Sequence, residues 1–123
     1  MLENHLDAVS DENLYSAFVG NGRFYREKGL YTLAESWFEQ CVSVVRSRLG
    51  ENHPHTASSL NNLGILYYEM GRYDEAEPIY KQALDLRKQR LGENHPDTAN
   101  TLDNLAILYY DMGRYDEAEP LFI

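Results

Sequence analysis

The sequence predicts an all-α fold, an α-α superhelix in which about three helix-turn-helix repeats stack into a solenoid. Three observations predict it. The chain of 123 residues repeats with a period of 42, each period holds two helical segments, and residues 49–81 and 91–123 are identical at 24 of 33 positions. A period of about 20 to 50 residues is typical of stacked supersecondary units and not of one globular topology.

The repeat also sets the boundaries of the predicted units. Residues 49–54 recur as residues 91–96, and residues 70–78 recur as residues 112–120. A further shift of 42 positions places Gly29 on Gly71 and Phe38 on Tyr80, so a diverged first copy begins near residue 11. We therefore expect a tail at 1–10 and a repeat domain at 11–123, with repeats at about 11–50, 53–92 and 95–123, the last one incomplete.

The first helix of each repeat is predicted from an apolar stripe between a proline and a glycine. In the second repeat Leu60, Leu63 and Tyr67 share one helical face at i, i+3, i+7 spacing. Pro54 suits the first turn, where its missing N–H has no helical partner to lose. Gly71 is expected just beyond the helix, at the C′ position that favours a left-handed backbone.

The second helix is predicted over about residues 74–90. Acidic residues at its start and basic residues at its end, among them Arg87, both favour the helix dipole. Pro78 falls within or just beyond the first turn, so we expect a frayed or bent start. Small residues are predicted where the helices approach closely, at Gly64 and Ala76 and at their equivalents Ala106 and Ala118.

The composition excludes several classes of partner. Eleven basic against 20 acidic residues give a net charge of -9, which argues against nucleic-acid phosphates or an anionic membrane surface as the partner. No run approaches the roughly 18 apolar residues of a membrane-spanning helix, and no signal peptide is recognisable. The single cysteine, Cys41, rules out an internal disulfide and favours a reducing, cytoplasmic compartment. Because it aligns with Ala83, we expect a buried and unreactive thiol.

These residues resemble the signature of the tetratricopeptide repeat (TPR) family. In the second repeat the matching positions are Leu60, Leu63, Gly64, Tyr67, Ala76, Tyr80 and Ala83. The usual TPR period is about 34 residues. The longer period of 42, with the linker at 49–54 and Leu-Asn-Asn-Leu at 60–63, resembles the repeats of kinesin light chain. The resemblance implies a right-handed TPR solenoid that binds protein or peptide partners, without catalysis, a cofactor or a metal.

In the TPR family the first helix of each repeat lines a concave groove, where extended peptides usually lie. The positions that correspond to this groove share a face distinct from the core stripe. They are Ser16, Val19, Arg23 and Arg26 in the first repeat, Ser58, Asn61, Asn62, Ile65 and Tyr68 in the second, and Asn100, Asp103, Asn104, Ile107 and Tyr110 in the third.

Asn62 and Asn104 carry the most specific hypothesis for the groove. An amide side chain donates and accepts hydrogen bonds at once, and the resemblance implies that such asparagines hold the backbone of an extended peptide. The alternative is that both bond to the neighbouring repeat and only order the stack. Arg23 and Arg26 lie three apart and either pair with a ligand carboxylate or remain solvated. Asp103 makes the opposite end of the groove acidic.

Other candidate sites have structural interpretations. His53 and His95 recur in Asn-His-Pro linkers, and we interpret them as helix-start residues and not as metal ligands. Tyr68 and Tyr110 remain open as an aromatic site, because the tyrosine before each takes a core position of the signature. No phosphate-binding glycine loop, serine elbow or catalytic carboxylate pair appears, so the sequence predicts no enzyme.

The predicted function is an adaptor module that binds an extended peptide or a partner helix in its concave groove. The alternative is structural self-assembly, as a homo-oligomer, through the C-terminal end at Leu121, Phe122 and Ile123. The sequence stops there before the counterparts of Ala83 and Leu84, so we expect the first helix of the third repeat to lose its cover. The chain is also interpretable as a fragment of a longer TPR scaffold.

Overall fold

The computed structural model describes residues 10–122, which form the all-α solenoid that the repeat predicts. Among these residues there is no strand, and six α-helices follow one another: α1 (Asp11–Glu27), α2 (Tyr31–Leu49), α3 (Pro54–Glu69), α4 (Tyr73–Leu91), α5 (Pro96–Asp111) and α6 (Tyr115–Ala118), with a 3₁₀ turn at Glu119–Leu121. Each helix packs mainly against its neighbours along the chain. Within this part of the chain, no helix has both the length and the apolar character needed to cross a bilayer.

Histidine caps the start of α3 and of α5. The Nδ1 atom of His53 accepts a hydrogen bond from the backbone N–H of His55 at 3.0 Å. In the same way, Nδ1 of His95 accepts from the N–H of Asp97 at 3.0 Å. Pro54 is the first residue of α3. A backbone N–H at this position has no acceptor within the helix, so proline, which lacks it, costs no hydrogen bond there. The predicted helix-start role of both histidines is confirmed, and each ring must leave Nδ1 unprotonated in order to accept.

The first helix of each repeat ends in the left-handed glycine that the sequence predicts. Gly71 has a φ of 74°. Its N–H bonds to the carbonyl of Tyr68 at 3.0 Å, and the N–H of Arg72 bonds to the carbonyl of Tyr67 at 2.8 Å. These two bonds form a Schellman motif, which satisfies carbonyls that the helix leaves unpaired. The third repeat has the same pair of bonds, with Gly113 at a φ of 77°.

The start of α4 differs from the prediction. Pro78 lies inside the helix, which begins five residues before it at Tyr73. The first turn is therefore helical and not frayed, and the missing proline N–H removes one hydrogen bond from the interior of α4. Asp74 and Glu75 in the first turn and Arg90 in the last complement the helix dipole as predicted.

The two helices of a repeat approach most closely where a glycine meets an aromatic ring. A Cβ atom placed on Gly64 would lie 2.7 Å from the ring of Tyr80, which is 2% exposed. The equivalent glycine of the first repeat shows the same approach at 2.6 Å. The third repeat has Ala106 at this position, and there the equivalent ring, Phe122, is 47% exposed. At this contact a buried ring therefore faces a glycine, and the alanine of the third repeat is paired with an exposed ring.

The core is continuous from α2 to α6. It contains the predicted signature positions Leu60, Leu63, Tyr67, Ala76, Tyr80 and Ala83, all buried. Between α1 and α2 a second cluster buries Cys41 with Leu14, Phe18 and Val45. Burial raises the pKa of the Cys41 thiol to about 12, in agreement with the expected unreactive thiol.

The expectation that the first helix of the third repeat loses its cover is wrong. Leu102, Leu105 and Leu108 of α5 are only 8%, 3% and 0% exposed. They share one buried cluster with residues of α3 and α4 and with Ala118. The packing of α5 onto the preceding repeat is therefore enough to bury its apolar stripe.

An arginine in the turn of each of the later repeats links it to the preceding repeat. Arg72 donates from Nη1 to Glu35 of α2 at 2.8 Å and from Nη2 to Glu75 at 2.6 Å. Its guanidinium also lies 4.5 Å from the ring centroid of Tyr67. Arg114 repeats this arrangement 42 residues later, with Glu77 of α4 as its cross-repeat partner at 2.7 Å. These links set the register of one repeat on the next.

Candidate functional site

A recess between α3 and α5 gathers the apolar residues that the sequence assigns to the groove. Its volume is about 170 Å³, and it is lined by Ile65, Tyr68, Glu69, Tyr80, Asn104 and Ile107. Ile65 and Tyr68 are three apart on α3, and Asn104 and Ile107 are three apart on α5, so each pair projects from one helical face. Two first helices of successive repeats thus contribute apolar walls and one amide to the same concavity.

One rim of the recess is closed by links between successive first helices. The Tyr68 hydroxyl donates a hydrogen bond to Oδ2 of Asp111. This bond, helped by burial, raises the pKa of Tyr68 to about 12. One repeat earlier, the Nε atom of Arg26 lies 3.6 Å from Oε1 of Glu69. Arg26 therefore already neighbours a carboxylate of its own chain, with which any ligand carboxylate must compete.

Asn61 lies beneath the groove surface and joins α3 to α5. It is 5% exposed. Its Oδ1 atom accepts from Oγ1 of Thr101 at 3.2 Å and from Nδ2 of Asn104 at 3.3 Å. Its Nδ2 atom donates to Oδ1 of Asn100 at 3.4 Å. Three groove positions proposed from the sequence, the asparagines at 61, 100 and 104, are thus brought together in one polar cluster.

Arg87 anchors this cluster from α4 and is the residue that the sequence reasoning missed. It is 8% exposed. Its Nη1 atom donates to Oγ1 of Thr101 at 2.8 Å and to the carbonyl of Asp97 at 3.1 Å. Its Nη2 atom donates to Oγ of Ser58 at 3.2 Å, so this predicted groove residue is also engaged. Burial lowers the pKa of Arg87.

A sequence signal for Arg87 existed. A shift of 42 positions places it on Val45, which is buried in the first repeat. Arg87 also continues the buried stripe of α4 at Tyr80, Ala83 and Leu84. A charged residue on an apolar stripe indicates a buried polar network, whereas the sequence analysis explained this arginine by the helix dipole alone.

Asn62 is the groove amide that stays free. It is half-buried, and within residues 10–122 its side chain forms no hydrogen bond. The physical reason lies in the preceding repeat. Asn104 bonds to Asn61, but the residue that would meet Asn62 in the same way is Val19, which has no polar side-chain atom. The two asparagines that the sequence treats alike therefore differ in their bonding.

The remaining predicted groove residues lie at the two ends of the surface. On α1, Ser16 and Arg23 are exposed, and Arg23 makes no ion pair with another described residue. On α5, Asp103 is exposed, and Tyr110 is 57% exposed with its ring 5.0 Å from that of Tyr115. The charged ends proposed from the sequence are thus both open to solvent.

The C-terminal residues proposed for self-association differ in exposure. Leu121 is half-buried, and Phe122 is 47% exposed. Ile123 lies outside the described residues. No group of three or more potential metal ligands occurs in the described ranges. The His53 ring caps α3, and the neighbouring His55 ring stacks on Tyr15 at a centroid distance of 4.0 Å and lies 3.0 Å from a carboxylate oxygen of Glu12.

Comparison with known proteins identifies the repeat. The profile of the tetratricopeptide repeat family matches residues 13–89 and 67–122. Among curated proteins, none is significantly similar to this chain.

Two solved structures with this fold are similar to the chain. The first is BtubC (BKLC) from P. vanneervenii, at 24% identity and a TM-score of 0.76, covering 81% of this chain and 39% of that one. The second contains nearly identical TPR-like repeats attributed to a kinesin light chain of Podosopora anserina, at 24% identity and a TM-score of 0.77, covering 89% of this chain and 50% of that one. The chain thus spans half or less of the length of these structures.

Proposed function

The chain belongs to the tetratricopeptide repeat family, and from this premise we propose that it is a noncatalytic adaptor that binds an extended peptide in the groove between α3 and α5. The family is one of protein–protein interaction modules. We further propose that residues 11–123 act as one binding unit in the cytoplasm.

The observation that carries this proposal is the combination of an apolar recess with a free amide beside it. Ile65 and Ile107 wall a concavity of about 170 Å³, which has room for an apolar side chain of the ligand. Asn62 on α3 has both a donor and an acceptor without a partner among the described residues. An extended peptide offers a backbone N–H and a carbonyl, which one amide side chain can match together.

The charges at the groove ends suggest the direction of the peptide. Arg23 on α1 and Asp103 on α5 are both exposed. A ligand with an acidic residue over α1 and a basic residue over α5 places opposite charges together at both ends. Such exposed pairs contribute little affinity, about 0 to 1 kcal/mol each. Their effect is on orientation.

The experiment compares two asparagines that differ in position. Peptides selected by the intact chain from a random peptide library are titrated against Asn62→Ala and, as a matched control, against Asn94→Ala in the exposed linker before α5. Asn62→Ala loses two hydrogen bonds of about 1 kcal/mol each, which weakens binding about 30-fold. Asn94→Ala leaves the affinity unchanged.

Two further variants separate binding from folding. Asn61→Ala removes the partner of Asn104 and lowers thermal stability. Asn62→Ala leaves thermal stability unchanged, because the Asn62 amide forms no hydrogen bond within residues 10–122. Ile107→Ser removes an apolar wall of the recess and weakens peptide binding further than Asn62→Ala. Equal affinities for Asn62→Ala, Ile107→Ser and the Asn94→Ala control would exclude the groove as the binding site.

A second candidate function is self-assembly through the C-terminal end. The observation that favours it is Phe122, which is 47% exposed, while the equivalent rings Phe38 and Tyr80 are each 2% exposed. Sedimentation of the intact chain and of Phe122→Ser tests it. A dimer that dissociates on this substitution supports self-assembly, and a monomer in both cases excludes it.

A further inference from the structure

An apolar patch lies at the turn between α1 and α2, outside the groove. Phe24 is 52% exposed, Leu30 is 47% exposed and Leu33 is 49% exposed. Tyr25 links the two sides of the turn, because its ring contacts the Phe24 ring at a centroid distance of 5.3 Å and its carbonyl accepts from the N–H of Leu30. Large apolar side chains exposed at one turn indicate an interaction site more often than isolated ones do.

The same positions in the later repeats bind a helix of the preceding repeat. Phe24 corresponds to Leu66 and Leu108, both 0% exposed. Leu30 corresponds to Arg72, which bonds to Glu35 of α2. Because α2 packs on α3 and α4 packs on α5, this surface of a repeat is built to receive an α-helix.

The first repeat carries an apolar version of that surface. Where the later repeats have the pair Arg72 and Glu75, the first has Leu30 and Leu33. We infer that this patch docks an amphipathic α-helix of a partner protein, which presents an apolar residue where α2 and α4 present a glutamate. This site is separate from the groove and does not depend on the proposed function.

The charges around the patch favour such a partner over a second copy of the chain. Stacked head to tail, a second copy would bring Glu119, the equivalent of Glu35 and Glu77, opposite Leu30. A carboxylate placed against two leucines loses its hydration without gaining an ion pair. The cation at the patch is Lys28, whose Nζ atom lies 5.1 Å from the centroid of the Phe24 ring. The partner helix therefore has an apolar centre and an acidic flank.

Two helical peptides test this inference on the full chain. Both are stapled peptides with the sequence of residues 73–91, one unchanged and the other with Glu77→Leu. The peptide with Glu77→Leu binds at least about tenfold more tightly, because its apolar side chain loses no hydration against Leu30 and Leu33. Methyl NMR locates the contact through shifts of the Leu30 and Leu33 signals.

A variant of the chain reverses the preference. Leu30→Arg with Leu33→Glu restores the residues of the later repeats and is expected to bind the unchanged peptide more tightly. Asn62→Ala, in the groove, is the control and leaves both affinities unaltered. Equal binding of the two peptides, or shifts confined to groove residues, overturns the inference. Two other results also overturn it. If the unmodified chain is a dimer that Leu30→Arg with Leu33→Glu dissociates, a second copy occupies the patch. If removal of residues 1–9 tightens peptide binding, those residues occupy it.

Discussion

Replacing Gly64 by alanine tests the close approach of α3 to α4. The added Cβ atom would lie 2.7 Å from Tyr80, and this ring is 2% exposed, so that moving it disturbs the packed core around it. Overpacking of this kind costs about 1 to 3 kcal/mol. Alanine favours the helix over glycine by up to about 1 kcal/mol. We expect a net loss of up to about 2 kcal/mol in the free energy of unfolding.

Gly20→Ala is the matched control for this prediction. Gly20 lies within α1, is exposed, and would have no atom within 4 Å of an added Cβ. The same substitution should therefore stabilise the protein by about 0.5 to 1 kcal/mol. Urea unfolding followed by far-UV circular dichroism gives both values. Their difference isolates the steric cost from helix propensity.

The ring itself can be tested in a double-mutant cycle. In a Tyr80→Leu background the obstruction is smaller, so Gly64→Ala should become neutral or stabilising. If Gly64→Ala instead stabilises the unmodified chain as much as Gly20→Ala does, the helices can separate without cost. The close contact would then not be a constraint on the sequence.

Titratable side chains provide three more tests. A hydrogen bond from Arg114 is the main reason that the pKa of Glu77 falls to about 2 from its usual 4.5. The stability that Glu77 contributes is therefore present above pH 4.5 and is lost as the pH falls towards 2. Glu77→Gln should flatten this decline, measured as the melting temperature against pH. Burial lowers the pKa of His53 below 6.5, so the free energy of unfolding falls as acidification protonates the capping nitrogen. His53→Asn keeps a cap and should remove this dependence of stability on pH. An unchanged pH profile would contradict the capping role. Cys41, whose pKa is raised to about 12 by burial, should react with a thiol reagent far more slowly in the folded chain than in urea, and equal rates would contradict its burial.

The helix boundaries were predictable because their signals are local. A proline at the start of a helix and a glycine after it act through the backbone of a few residues, so Pro54 and Gly71 lie where the sequence predicts. Close packing was also predictable, because Gly64 and Ala76 recur at the period. What local signals did not resolve is the start of α4, where tertiary packing keeps five residues helical before Pro78.

The groove was predictable as a face but not residue by residue. Asn61 and Asn62 are adjacent on α3, and helical spacing cannot decide which of two neighbours bonds to the next repeat. That depends on the angle between repeats, which brings Asn104 to Asn61, whereas the Asn62 side chain forms no hydrogen bond within residues 10–122. The burial of Arg87 could have been predicted from its place on the apolar stripe of α4, but its partners Ser58 and Thr101 could not, because they come from two other helices.

The polar cluster beneath the groove divides the proposed binding surface into two parts. In the second and third repeats, Arg87 and Asn61 fix the side chains that face the groove through hydrogen bonds. The equivalent positions in the first repeat are Val45 and Val19, and Gly20 takes the place of Asn62. Along the proposed peptide path, the groove therefore offers these directional hydrogen-bonding groups on α3 and α5, whereas the equivalent positions on α1 have no polar side-chain atom. Because hydrogen bonds to a peptide backbone fix its register whereas apolar contact does not, the proposed complex would take its register from the second and third repeats.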